Sequence, residues 1–351
     1  MEQFAAILED WYEACGRDLP WRKTDDPYRI WVSEIILQQT RVAQGYDYFV
    51  RFMERFPTVQ ALAEAEEDEV MKLWQGLGYY SRARHLHAAA REVAARGAFP
   101  RTYEEVRALK GVGDYTAAAI CAFAYGLPCA VVDGNVYRVL ARWMGVDTPI
   151  DSAQGKKLFA SLAQELLDEE HPALYNQAIM DFGALQCTPQ SPDCSACPLA
   201  DTCVAFAEGR VAALPVKSHK TKVSIRYFNY LYVRIGADTL LKKREGDDIW
   251  RDLYELPLVE SPREWSEAEL LASDCLRAWV DCPEVMTVRC LRRGVKHVLS
   301  HRVIYATFYE LTFPEDASPS FPGFLRVPLE ELERYAVPRL VHQFFEKYVF
   351  A

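Results

Sequence analysis

Leu109-Lys110-Gly111-Val112-Gly113 separates two helix-spaced apolar stretches, one ending near Leu109 and the other opening at Asp114 and running to Tyr125. A Gly-x-Gly turn lets the chain reverse tightly and presents backbone N–H groups from the hairpin and from the second helix's N-terminus. Such N–H groups bind phosphate, and Lys110 adds a cation beside them. The spacing predicts a helix–hairpin–helix in which Lys110, Gly111 and Gly113 meet a phosphate backbone. A plain helix connector would carry the same glycines, so the surrounding sequence decides.

Outward from the hairpin, to about Ala207, apolar residues recur at helical spacing, as over 30–37. Pro57, Gly97-Ala-Phe-Pro100, Pro128, Pro149 and Pro172 break this half into short helices. It is predicted to be all-α. A polar, basic stretch with Pro215, Lys217, Lys220 and Lys222 follows, and then the period changes to two. Residues 227–235, 239–244 and 303–311 alternate and are rich in aromatic and β-branched side chains, the pattern of strands. The expected organisation is an all-α domain over 1–208, a linker over 209–226 and a smaller α+β domain over 227–351. A chain of 351 residues can bury two such cores without disulfides.

Cys187, Cys194, Cys197 and Cys203 follow at C-x6-C-x2-C-x5-C spacing. Four thiolates in so short a span can converge on one soft-metal centre, as the ligands of a 4Fe-4S cluster do. Tetrahedral zinc is the alternative, but zinc sites usually take two C-x2-C pairs across a longer finger, and only Cys194 and Cys197 form such a pair. The spacing favours the cluster. The remaining cysteines, Cys15, Cys121, Cys129, Cys275, Cys282 and Cys290, share no spacing and are expected to be core or surface filler.

Half the residues are apolar and about a quarter charged, an ordinary globular composition. No apolar run reaches membrane-span length, and Met1 to Phe4 open no positive-then-apolar leader. The expectation is a cytosolic, nucleoid-associated protein with no membrane partner. The net charge of −10 speaks against a nucleic-acid partner, because neutralising phosphates takes Lys and Arg. Its distribution answers that objection. Residues 71–110 carry Lys72, Arg82, Arg84, Arg91, Arg96, Arg101, Arg107 and Lys110 against only Glu92, Glu104 and Glu105.

The hairpin and cysteines are joined by Pro20-Trp-Arg22, Trp31-Val-Ser-Glu-Ile-Ile-Leu-Gln-Gln-Thr40, Gly76-Leu-Gly-Tyr-Tyr80, Val132-Asp-Gly-Asn-Val136 and the run from Asn176 to Cys187. In this order the chain resembles the endonuclease III superfamily and, within it, the MutY-type adenine DNA glycosylases. The resemblance covers nearly the whole chain. It implies a monofunctional enzyme, acting as a monomer on double-stranded DNA, that flips and excises adenine mispaired with 8-oxoguanine and also adenine opposite guanine.

By that resemblance Glu34 is the general acid. Among Trp31, Ile35 and Leu37, burial would raise its pKa toward the operating pH, as proton donation requires. Asp133 precedes a helical run, so it is an expected N-cap, and a helix N-terminus would keep it ionised beside a developing oxocarbenium ion. It would either stabilise the sugar cation or trap it covalently. Tyr115 matches a tyrosine that supports the same site. Gln39, Leu77 and Tyr79 would enter or line the DNA helix, with Thr40 in the same run as Gln39, while Arg22 and Asp181 would lie near the flipped adenine. Asp181 stands where the family more usually has glutamate.

The C-terminal domain resembles a Nudix-like module but lacks the Arg-Glu-x-x-Glu-Glu run after Gly246, hence a carboxylate array for magnesium. Recognition is its implied task. Leu299-Ser300-His301 stands where the family carries Phe-Ser-His, which leaves Ser300 and His301 to hydrogen-bond the lesion. The enzyme alternative is an endonuclease III-like bifunctional pyrimidine glycosylase and lyase. Its Schiff-base lysine belongs two residues after the second hairpin glycine, where this chain has Tyr115.

Overall fold

A computed structural model of the protein describes residues 2–218, 223–280, 286–314 and 319–350; Lys220, Lys222 and Cys282 lie outside the described residues. The chain packs as two compact units, Met1–Ala65 with Arg84–Lys220, and Glu66–Ala83 with Thr221–Ala351. Residues 66–83, expected within the helical domain, thus associate with the strand-rich unit.

The helices run α1 Glu2–Cys15, α2 Pro27–Leu37, α3 Val42–Arg55, α4 Val59–Glu64, α5 Glu67–Trp74, α6 Ser81–Arg96, α7 Tyr103–Ala108, α8 Asp114–Tyr125, α9 Gly134–Trp143, α10 Ala153–Glu165, α11 Pro172–Leu185 and α12 Val204–Ala207. No strand interrupts them among the described residues up to 218. In the first unit α8 is the central helix, buried from Thr116 to Ala122 on every side, as a helix apolar all round must be. Its Ala118 and Ala119 share one core with Phe4 and Leu8 of α1, Leu140 of α9, Phe159 of α10, and Ile179 and Phe182 of α11. Burying each of the larger side chains contributes about 1.5–3 kcal/mol over leaving it in water.

The second unit is built on a seven-stranded sheet: β1 Ser224–Ile235, β2 Asp238–Lys243, β3 Tyr254–Glu255, β4 Leu258–Ser261, β5 Thr287–Val298, β6 Arg302–Phe313 and β7 Leu325–Pro328. The main path is β3-β2-β1-β6-β5, with β4 on β1 and β7 on β2. β1 and β6 pair in parallel from Ser224↔Arg302 to Ile235↔Phe313. Both faces of β1 are covered, which explains its nearly continuous apolar sequence. Phe228, Tyr230 and Tyr232 pack with Leu340 and Phe344 of α13 (Arg339–Tyr348), and Leu231, Val233 and Ile235 pack with Leu270 and Leu276 on the other side.

The stretch expected as a linker is not uniform. Leu214 is buried and its carbonyl accepts from Arg142 Nε at 3.0 Å, and the Ile150 N–H donates to Val216 O at 3.0 Å. That end of it is packed on the helical unit, while β1 has already begun at Ser224.

Candidate functional site

Asp26 caps α2 by accepting the Tyr28 N–H at 2.9 Å, and Pro27 presets the first turn. α2 is buried from Ile30 to Ile36, so Glu34 lies inside, 7% exposed. Tyr115, in the first turn of α8, donates its hydroxyl to Glu34 Oε2 at 2.7 Å. Burial pushes the Glu34 carboxyl up to about 7; the Tyr115 hydrogen bond opposes the rise, Asp133 adds to it, and Arg22 opposes it.

Asp133 is the N-cap of α9. Its Oδ1 accepts the N–H groups of Asn135 and Val136, each at 2.8 Å, and its Oδ2 accepts Asn135 Nδ2 at 2.7 Å. The expected N-cap is present, and burial acts against it. Burial raises its pKa above the ordinary 3.8, and the bonds from Val136 and Asn135 only offset that rise in part. A cap set in a cavity loses hydration that a surface cap keeps.

Glu34, Tyr115 and Asp133 together line two cavities, of about 590 Å³ and about 290 Å³. A third, of about 900 Å³, is lined by Tyr115, Gln38 and Gln39 with the hairpin's Gly111 and Gly113. Gln39 is exposed with a left-handed φ of 55°, and Thr40, half-buried, lines the 590 Å³ cavity. The two carboxylates therefore line adjoining open cavities, one of which shares Gln38, Gln39 and Tyr115 with the hairpin cavity.

Asp181 is fully buried and does not stand free in that pocket. Arg22 meets it with both terminal nitrogens, at 2.7 and 2.6 Å, and Arg17 adds its backbone N–H at 2.9 Å and its guanidinium. Burial alone would raise this carboxyl, but the hydrogen bonds from Arg22 and Arg17 hold it at about 2. Asp181 thus serves Arg22, which lines the pocket.

Gly111 has φ 79°, and a Cβ there would come within 2.5 Å of the His85 side chain, so conformation and space both demand glycine. Gly113 caps α8 without a side-chain bond, and a Cβ on it would meet nothing within 4 Å. The helix N-terminus is open to an anion, and Lys110 is exposed beside it. The basic block is partly spent within the protein. Arg96 pairs with Glu105, Arg107 with Asp114, and buried Arg82 lies over the Trp74 ring.

In the second unit the loop 76–80 divides its side chains. Tyr79, with φ 47°, is 42% exposed, whereas Tyr80 is buried and accepts the Gly76 N–H at 3.2 Å. Leu77, expected to enter or line the DNA helix, is 8% exposed with its N–H bonded to Trp74 O, so the protruding side chain is Tyr79. Ser300 and His301 are exposed on the turn between β5 and β6, closed by the Leu299 N–H donating to Arg302 O at 2.8 Å. The Tyr79 and Ser300 hydroxyls are hydrogen-bonded to each other.

The four cysteines form no disulfide and lie near one another: burial comes first in raising Cys194, Cys197 and Cys203, and neighbouring Cys187 raises each further. Among the described residues no three His, Cys, Asp or Glu side chains converge tightly enough to hold a single ion. Four soft thiolate donors in one short loop fit an iron–sulfur cluster. Arg142 reaches Cys187 Sγ at 3.4 Å and the Thr188 and Pro189 carbonyls, while Arg138 holds the Cys187 carbonyl at 2.7 Å. These two buried arginines, one turn apart on α9, escaped sequence reasoning, although a pair of cations inside an apolar helical pattern was a signal that could have found them. Asn135 and Arg17, which hold Asp133 and Asp181, were also missed. Of the other cysteines, Cys121 is buried and Cys15 and Cys275 are exposed.

Comparison with known proteins bears on the whole chain. Residues 32–165 match the model of HhH-GPD superfamily base excision DNA repair proteins, 187–203 that of the iron–sulfur binding domain of endonuclease III, and 229–347 that of the NUDIX domain. The adenine DNA glycosylase of Mus musculus is 34% identical over 402 residues, spanning 98% of this chain and 78% of the mouse protein. That of Buchnera aphidicola subsp. Baizongia pistaciae is 31% identical over 309 residues, 86% of this chain and 84% of the relative. A solved thermostable thymine-DNA glycosylase, 29% identical, superposes with a TM-score of 0.55 on 59% of this chain and 96% of its own. With similarity of this extent running through the helical unit, the cysteine loop and the sheet alike, the chain belongs to the MutY-type adenine DNA glycosylases, base-excision-repair enzymes with an iron–sulfur cluster.

Proposed function

We propose that the enzyme removes adenine paired with 8-oxoguanine, and more slowly adenine opposite guanine, from double-stranded DNA, as a cytoplasmic, nucleoid-associated monomer. The observation that carries this reading is a buried glutamate raised to about 7 beside a second, capped carboxylate in one pocket. The adenine turns out of the stack into that pocket, with Tyr79 filling the space it leaves. Glu34 donates its proton to the base, so the C–N bond breaks to release a neutral leaving group. Asp133 offsets the positive charge that develops on the sugar, and water completes the hydrolysis. Arg22, held by Asp181, positions the base; Gln39, Thr40, Lys110 and the two hairpin glycines hold the DNA. Ser300 and His301 read the opposite base from the strand-rich unit, and Leu299 supplies no ring for stacking.

The cluster, held by Cys187, Cys194, Cys197 and Cys203, would tie together a loop that Arg138 and Arg142 already anchor to α9. Chemistry is confined to the glycosidic bond because Tyr115 cannot form an imine with the abasic sugar. Strand cleavage with heat and alkali, under single-turnover conditions on matched 8-oxoguanine:adenine and guanine:adenine duplexes, tests the reading. Faster cleavage of the first duplex is expected, with no covalent adduct trapped by borohydride. Equal rates would overturn the lesion preference, and abundant trapping would move the enzyme to the bifunctional class.

A further inference from the structure

Three guanidinium groups converge on one carboxylate beside the 299–302 turn. Arg226 Nη1 donates to both oxygens of Asp248, at 2.9 and 2.8 Å; Arg244 Nη2 donates to Oδ2 at 2.9 Å; and Arg302 Nη1 donates to Oδ1 at 2.9 Å. Two of these arginines have a second anion. Arg226 pairs with Glu260 at 2.6 Å and Arg244 with Glu255 at 2.6 Å, and Glu255 in turn accepts the Tyr230 hydroxyl at 3.1 Å. Arg302 makes no other ion pair among the described residues.

The asymmetry matters because of where Arg302 stands. It follows Ser300-His301 directly, its carbonyl closes the turn by accepting the Leu299 N–H, and the next carbonyl back, that of His301, accepts the Ser224 N–H at 3.0 Å. Asp248 draws Arg302 toward β1 and β2 through Arg226 and Arg244, which are rooted in those strands or directly after them. Neutralising Asp248 would leave Arg226 and Arg244 each with a carboxylate and would release Arg302 alone. Three cations around a single anion also repel one another once that anion is gone.

The geometry points to Asp248 as a positioning residue for lesion discrimination: through Arg302 it fixes the turn that carries Ser300 and His301. This rests on the reading that those two residues contact 8-oxoguanine. Asp248 is engaged by three arginines and does not line the pocket that holds Glu34 and Asp133, so its effect is expected on preference and not on the chemical step.

The test uses full-length Asp248→Asn, Asp248→Glu and Arg302→Gln with Ser300→Ala as reference, in single-turnover excision on the two matched duplexes. Asp248→Asn and Arg302→Gln are expected to lower the 8-oxoguanine:guanine rate ratio about tenfold, the worth of a charge-assisted hydrogen bond. The guanine:adenine rate should stay within about twofold in Asp248→Asn, because Asp248 does not line the pocket that holds the two carboxylates and its loss leaves the barrier unchanged. Asp248→Glu, which keeps the charge, should recover most of the ratio. Hydrogen exchange at the Leu299 and Ser224 amides should quicken in Asp248→Asn while amides of α8 keep their protection, which separates a loosened turn from general unfolding. If Ser300→Ala lowers the ratio but Asp248→Asn and Arg302→Gln do not, the positioning role is wrong and the lesion-reading role stands. If Ser300→Ala also leaves the ratio unchanged, both are wrong.

Discussion

The two units place their functional groups in opposite surroundings. In the helical unit Glu34 is 7% exposed and Asp133 is half-buried in the same pocket, whereas in the strand-rich unit Ser300 and His301 are exposed on a turn and Tyr79 is 42% exposed. Proton donation at neutral pH requires a carboxylic acid that water cannot stabilise as its anion, so the chemistry must be buried. A reader of base edges has to exchange water for a ligand, so it must stay at the surface, and each of its hydrogen bonds is worth only the difference between the two. On the proposed reading, the first arrangement would control whether the reaction occurs at all, and the second how well one opposite base is preferred.

The largest effect is expected where the helical unit is disarmed. Glu34→Gln keeps the shape but cannot donate a proton of suitable acidity, and should lower single-turnover adenine release by about 10²–10⁴-fold with duplex affinity nearly intact. A rate within about threefold of the unaltered enzyme, some 0.6 kcal/mol of barrier, would remove Glu34 from the mechanism.

Next in size is the pH response. A general acid must be protonated, so the rate should level off just below Glu34's value of about 7 and should fall above it. The decline should approach about tenfold per pH unit. On the acid side the rate should drop as Asp133 takes up a proton, at a pH above its ordinary 3.8. A profile flat from pH 6 to 9, measured under single-turnover conditions, would mean that burial does not set the chemistry.

In the strand-rich unit the effect is smaller. Ser300→Ala should lower the preference for 8-oxoguanine over guanine by roughly 5- to 30-fold, as loss of one or two hydrogen bonds would. Its cluster absorbance should be unchanged. Deleting everything after Val216 would be a blunter test than the contiguous pattern of helices suggests, because Asp68, Lys72, Gln75 and Tyr79 bond to Lys243, Tyr254, Tyr335, Val337 and Ser300. A preference retained by Ser300→Ala would place discrimination outside the turn.

The smallest expected change sharpens the buried side. The Tyr115 hydroxyl stabilises ionised Glu34, so Tyr115→Phe should raise the Glu34 pKa and move the alkaline limb upward by about one unit. A limb moving downward would show that the hydroxyl serves the protonated form.

Much of this was legible locally. The helix over 114–125, the glycines of the hairpin and the cysteine run depend on residues close in sequence, and α8 spans Asp114–Tyr125 as read. The strands over 303–311 and 227–235 were marked by their aromatic and β-branched side chains. β5 was not, because its Arg289, Arg292, Arg293 and Lys296 obscure an apolar period and irregular register around Gly294 breaks what remains. Leu77 turned inward, Asp181 closed on two arginines and Asp133 raised by burial are all outcomes of contacts between distant segments, which no local periodicity records. The allegiance of residues 66–83 is of the same kind.

That allegiance sets a timetable for making the protein. A ribosome completes the residues of α5 and the loop after it long before the sheet they join, and β6 ends only at Phe313. At about 5–20 residues per second the gap lasts on the order of 10–50 s, during which the nascent helical unit must hold a segment whose partners do not yet exist. Synonymous codons that slow elongation between residues 84 and 313 should therefore lower the soluble yield while leaving the specific activity of the folded enzyme unchanged.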